Sequence, residues 1–208
     1  MSSATDPFDH LFWLASRSAG VLAWLALSAS MMIGLAMATK VAPRTLTPRL
    51  RVAHERIALT ALIALAAHGL LLLGDSFLRP SLLDLLVPFS VDHAALWTGL
   101  GQIAGYVVAA LSLSYYARKR IGARRWRNAH RFIPIAWVLG AVHVVGAGTD
   151  IGDLWLQVPF VLSIAAVVVL LAMRVLGIGP RSKMPPRVRG NTRAPKRVTD
   201  HGEVAYQQ

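Results

Sequence analysis

The chain contains no cysteine, which excludes disulfides, thiolate-held metals, iron–sulfur clusters and cysteine nucleophiles. Charged residues are also scarce, at 15% of 208 residues against 55% hydrophobic, too few to cover a soluble domain of this length. Acidic residues are scarcest: 10 Asp and Glu against 22 Lys and Arg leave a formal net charge of +12. Such a balance could serve nucleic acid. Here the cations sit in loops beside apolar runs and in one tail, so no nucleic-acid partner is expected. Residues 1–10 contain two aspartates and no Lys or Arg. Lacking the basic opening of a secretory signal, they are expected to precede an uncleaved first helix.

What is present is a series of apolar runs near the ~20 residues that a spanning helix needs. Five helices are predicted, at residues 11–38, 52–73, 97–117, 129–147 and 154–176, giving an all-α membrane protein built as a bundle of five transmembrane helices. Pro43 and Pro48 are expected to hold the loop before the second helix out of helical conformation. Ser81-Leu-Leu-Asp-Leu-Leu-Val-Pro-Phe89 is apolar but too short to span, and is expected at the interface or folded back over the bundle. Three regions are predicted: an extracytoplasmic segment 1–10, a transmembrane domain 11–177, and a disordered basic tail 178–208 attracted to anionic membrane lipid.

Loops 39–53 and 118–128 and the tail are basic, whereas loops 74–96 and 148–153 are acidic. With five helices these alternate without conflict, so the N-terminus is expected outside the cytoplasmic membrane and the C-terminus in the cytoplasm. Trp13, Trp97, Trp126 and Trp155 fall at helix ends, where interfacial belts are found.

Two stretches resemble one another. Leu50-Arg-Val-Ala-His54 leads through an apolar helix to His68, Gly69 and Asp75, and Trp126-Arg-Asn-Ala-His130 leads through another to His143, Gly146 and Asp150. Histidine is costly inside a bilayer, so each is a candidate functional residue. The spacings His54–His68 and His130–His143 separate the members of each stretch by about 20 Å. The second and fourth helices run parallel, so His54 can face His130 at one level and His68 can face His143 at another. Two imidazoles at each of two levels suit two haems stacked along the membrane normal, with the four histidines as axial ligands of the iron. His54 and His68 share a helix face. The second spacing is one residue shorter, which puts His130 and His143 out of phase, and a kink at Pro134 is the expected remedy. Arg17, Arg51, Arg56, Arg127 and Arg131 are candidate partners for haem propionates, with topology-setting as the other reading of all but Arg17. His10, His93 and His201 lie outside the helices and are expected to be solvated. Gly99-Leu-Gly101-Gln-Ile-Ala-Gly105 follows no predicted strand, so helix packing through Gly101 and Gly105 is preferred to dinucleotide binding.

The pairs His54–His68 and His130–His143, the phrase Trp126-Arg-Asn-Ala-His130-Arg and the step His68-Gly69 resemble the ferric reductase-like transmembrane domain family. That family includes the membrane parts of NADPH oxidases and yeast iron reductases. The resemblance spans roughly residues 11–176. It implies that the four histidines ligate two b-type haems carrying electrons across the bilayer, in an oxidoreductase component with ferric iron as the external acceptor. Full-length members continue into a flavin and nicotinamide domain, whereas the fifth helix here is followed by the basic tail alone. The resemblance then implies a separate electron donor: a flavoprotein using flavin or NAD(P)H, free reduced flavin, or membrane quinol. Two haem-free readings stay open: a transporter or relay moving metal ions or protons on the same histidines, and an accessory scaffold docking a partner through its basic loops.

Overall fold

The computed structural model describes residues 10–76 and 78–179. The expected N-terminal segment up to residue 9, and the basic tail with His201 from residue 180 on, lie outside the described residues. All regular structure among the described residues is helical, in eight elements. These are α1 (Leu11–Ala38), α2 (Thr47–Leu72), α3 (Leu82–Leu86), α4 (Ala95–Leu113), α5 (Arg118–Ile121), α6 (Ala123–His130), α7 (Ile133–Ala147) and α8 (Leu154–Val175). Five spans are long and apolar enough to cross a bilayer: α1, α2, α4, α6 with α7, and α8. Outward-facing Ile63, Val145, Leu154 and Leu162 are each more than half exposed, as lipid-facing positions would be. The chain therefore reads as a multi-pass membrane protein.

Prolines account for two differences from the expected boundaries. Helix α2 begins at Thr47 rather than near residue 52, because Pro48 occupies its first turn. There the missing N–H has no intrahelical partner to lose, and the fixed φ favours the helix. The fourth span starts at Ala123 and is broken rather than bent. Helix α6 ends at His130, Arg131 and Phe132 form a turn, and α7 restarts with Pro134 in its first turn. Helix α4 ends at Leu113, earlier than the expected residue 117, and turns through residues 114–117 into the short basic helix α5.

Helix α1 packs along α2, α4 packs along α7, and α8 packs on α1. The buried core lies between α1, α7 and α8. Trp24 stacks on Trp137 and tilts against Phe160, each at 5.1 Å between ring centres. The Trp137 indole N–H donates to Ser28 Oγ at 3.0 Å. Aromatic pairs of this kind add about 1 kcal/mol beyond the area they bury. Fixing this side of the bundle leaves α2 and α7 facing one another across a gap, held apart rather than interlocked.

The short segment expected at the interface is folded back over the bundle. A Ser81–Asp84 capping box starts α3. Tyr106 Oη on α4 donates to the carbonyls of Leu85 and Leu86, at 3.0 and 2.7 Å. Gln102 Nε2 donates to the Asp84 carbonyl at 2.6 Å. Leu85 thereby rests against Gly69, next to His68, while Leu82, Leu83 and Leu86 point outward.

Candidate functional site

The four histidines meet as two pairs across the gap between α2 and the broken span. His68 and His143 have ring centres 6.3 Å apart, and His54 and His130 have theirs 6.4 Å apart. The His68–His143 pair lies toward the acidic loops and is called the acidic-end pair; His54–His130 is the basic-end pair. The break at Arg131–Phe132 resolves the phase problem, because it lets His130 and His143 turn toward the same side despite their shorter spacing.

At the acidic end, His68 Nδ1 donates to the Ser16 carbonyl at 2.8 Å. His143 Nδ1 donates to the Trp97 carbonyl at 2.9 Å. At the basic end, His54 Nδ1 donates to the Ser30 carbonyl at 2.9 Å. A carbonyl can only accept, so each of these rings carries its proton on Nδ1 and keeps the Nε2 lone pair available. Metal-binding histidines are oriented in this way. Ser16 and Ser30 add their hydroxyls, at 3.1 and 3.0 Å from the same Nδ1 atoms.

Each of the three rings also lies against a glycine, one helical turn after the accepting carbonyl. A Cβ added at Gly20 would lie 2.9 Å from His68 Nδ1, one at Gly34 3.2 Å from His54 Cε1, and one at Gly101 2.5 Å from His143 Nδ1. Ser16-x-x-x-Gly20 and Ser30-x-x-x-Gly34 recur on α1 at the same interval as His54 and His68 on α2. Because α1 and α2 are antiparallel neighbours, the two repeats meet in register. Trp97 and Gly101 repeat the arrangement on α4.

The fourth ring is different. One His54–His68 interval beyond Trp97 and Gly101 stand Leu111 and Tyr115. The Leu111 carbonyl accepts from Ser114 Oγ at 2.9 Å, and a tyrosine stands where a glycine would make room. His130 Nδ1 is buried without a hydrogen-bond partner. Its ring instead stacks on Trp126 at 5.0 Å and 23°.

Among the described residues no group of three or more His, Cys, Asp or Glu side chains converges as a metal site. Each pair thus offers two imidazoles, a poor set for a bare ion that takes four ligands. It suits a metal whose other four positions are already filled by a planar macrocycle. Allowing about 2 Å for each metal–imidazole bond and about 1 Å from nitrogen to ring centre, two rings on one metal have centres about 6 Å apart. Both pairs fit that separation.

Arg17 lies beside Ser16, but its guanidinium is ion-paired with the buried Asp150 and sits over the rings of Trp13 and Trp155. It ties α1 to the loop before α8. Arg51, Arg56, Arg127 and Arg131 are exposed, and none makes an ion pair among the described residues. Arg51 stands in the turn before His54 and Arg127 in the turn before His130, so each shares the helix face of its histidine. His10 and His93 are exposed. Gly101 and Gly105 serve close packing, the first under His143 and the second against Leu65. Two open surface clefts lie away from the ring pairs, one along α1 beside Trp155 and one around Pro80 and His93.

Ser16, Gly20, Ser30, Gly34 and Trp97 were not among the residues expected at the site. The Ser-x-x-x-Gly repeat at the histidine interval is the signal that points to four of them. Trp97 meets the His143 ring through its backbone carbonyl, which no residue pattern marks, while its indole lies against Gly146. Compared with known proteins, the chain matches no family model, no curated protein and no solved structure.

Proposed function

We propose that the chain is a membrane cytochrome b that carries electrons across the cytoplasmic membrane, binding one haem b between His54 and His130 and another between His68 and His143. The observation that carries this reading is the pairing itself: two ring pairs at 6.3 and 6.4 Å, with three of the four rings locked on Nδ1. Bound by these imidazoles, haem would supply one-electron chemistry. The carbonyls of Ser16, Ser30 and Trp97 fix the ring orientations and raise the basicity of Nε2. Gly20, Gly34 and Gly101 let the rings lie close against their neighbouring helices. Arg51 and Arg127, in the turns before His54 and His130, would pair with propionates at the basic end, and α3 covers the acidic end through Leu85.

The positive-inside rule assigns the basic end to the cytoplasm, so electrons enter at His54–His130 and leave at His68–His143. On the resemblance to ferric reductase-like domains, the chain is an oxidoreductase component whose external acceptor is ferric iron. The test is a reduced-minus-oxidised visible spectrum of the detergent-purified protein, with haem counted per chain. Two low-spin b-type haems per chain are expected. A haem-free protein, after expression with ample haem, would overturn the reading and favour a transporter or scaffold.

A further inference from the structure

An aromatic ladder leads from His130 to the surface of the basic end. Trp126 stacks on His130 at 5.0 Å, Tyr115 meets Trp126 at 5.5 Å, and Tyr116 meets Tyr115 at 5.4 Å. Tyr116 is 55% exposed. The ladder is held at both outer rungs. Tyr116 Oη donates to Glu55 Oε1 at 3.0 Å, and hydrogen bonding to that carboxylate pushes the phenol pKa up. The Arg118 guanidinium lies 3.8 Å over the Tyr115 ring and donates to its carbonyl at 2.8 Å. Around it, residues 114–132 carry Arg118, Lys119, Arg120, Arg124, Arg125, Arg127 and Arg131, with no acidic residue.

We infer that this surface, formed by residues 114–127, docks a soluble one-electron redox protein with an acidic face around its redox centre, and that the ladder is where its electrons enter. The inference rests on the cytochrome reading and names the donor for its basic end. Anionic lipid would need the cations but not an exposed tyrosine joined by stacked rings to His130. Electron transfer falls steeply across empty gaps, and the stacked rings bridge the distance from the surface to His130. With reduced flavodoxin as the partner, its flavin would give up one electron, and a haem held by His54 and His130 would take it. Trp126, Tyr115 and Tyr116 are neither oxidised nor reduced overall. Trp126 acts through His130 and is a positioning residue.

The experiment uses the purified full-length chain in nanodiscs of zwitterionic lipid, with reduced flavodoxin as the acidic flavoprotein probe. Binding of flavodoxin and its rate of haem reduction are both measured, with neutral photoreduced lumiflavin as the reference reductant. Electrostatic steering raises association by about 10- to 1000-fold. Both binding and rate are therefore expected to fall at least about tenfold in Lys119→Glu/Arg120→Glu/Arg124→Glu and on adding salt. Lumiflavin reduction should stay unchanged. Trp126→Leu should slow reduction by saturating flavodoxin, counted per haem bound, more than it slows reduction by lumiflavin. Flavodoxin binding that ignores charge reversal and salt overturns the docking surface, as does a triple variant whose only loss is attachment to anionic vesicles. Equal effects on the two reductants in Trp126→Leu overturn the ladder. Absence of haem overturns the cytochrome reading itself, and is seen separately because binding is read without haem.

Discussion

At the acidic end both histidines donate Nδ1 to a backbone carbonyl and rest on a glycine; at the basic end only His54 does. His130 has an aromatic face in place of a carbonyl. The difference traces to helix α4. It is intact at Trp97 and Gly101, but one histidine interval later it has ended, with Tyr115 in the glycine position. The acidic end is built to hold two imidazoles still, and the basic end gives up one such lock for a stacked path to the surface. Hydrogen-bonded imidazoles are the more basic ligands and favour ferric iron, so the acidic-end haem is expected to have the lower midpoint potential.

Removing a ring tests the contrast most severely. Each histidine-to-glycine variant should lose one haem in two and leave the other spectrum unchanged. Exogenous imidazole should restore the lost centre in His68→Gly and His143→Gly, where the Ser16 and Trp97 carbonyls accept its N–H. It should fail in His130→Gly, where nothing accepts. Equal rescue at both ends, read by visible spectra, would break the comparison.

Filling a glycine should come next in effect. Gly101→Leu places a side chain where even a Cβ lies 2.5 Å from His143 Nδ1, so the acidic-end haem should be lost. Gly105→Ala puts its Cβ 3.4 Å from Leu65, an ordinary contact, and should keep both haems. Haem per chain decides it.

Removing a serine hydroxyl is milder still. In Ser16→Ala the carbonyl continues to accept from His68, and only the hydroxyl's bond to the His68 carbonyl and its 3.1 Å contact with Nδ1 are lost. The expected cost is about 1 kcal/mol of stability in detergent denaturation, with haem content unchanged.

The five spans and the matched histidine levels were legible because hydropathy and the histidine interval are properties of the residues themselves. Pro134 was legible as a disruption of the fourth span, but whether proline bends a helix or ends it depends on what the neighbouring turns can satisfy. Here Arg131 and Phe132 leave the helix altogether. Pro48 was read as a breaker and serves as a starter, since the same ring suits the first turn. The Nδ1 acceptors escaped notice because they are backbone carbonyls, which every residue has; only their glycines leave a trace. Arg17 was read toward the haem level, and its pairing with Asp150 needed the α7–α8 loop to be placed in space.

The smallest expected effect lies over the acidic end. Hydrogen bonds from Ser81 hold the Asp84 carboxyl below its ordinary range. A depressed folded-state pKa contributes stability that is present above the unfolded value of about 3.9 and is lost as the pH falls through the folded one. The amides of α3 should therefore exchange faster with solvent only below about pH 4, while those of α6 show no such change. Uniform loosening of both would remove this distinction.

The most direct test of the paired-histidine account is the low-temperature electron paramagnetic resonance spectrum of the oxidised protein. The rings stand at 89° in the basic-end pair and 69° in the acidic-end pair. Two low-spin ferric haems with strongly crossed axial imidazoles give highly anisotropic signals, and two such signals of equal weight are expected. A high-spin signal, a single low-spin centre or no haem signal would contradict the central claim.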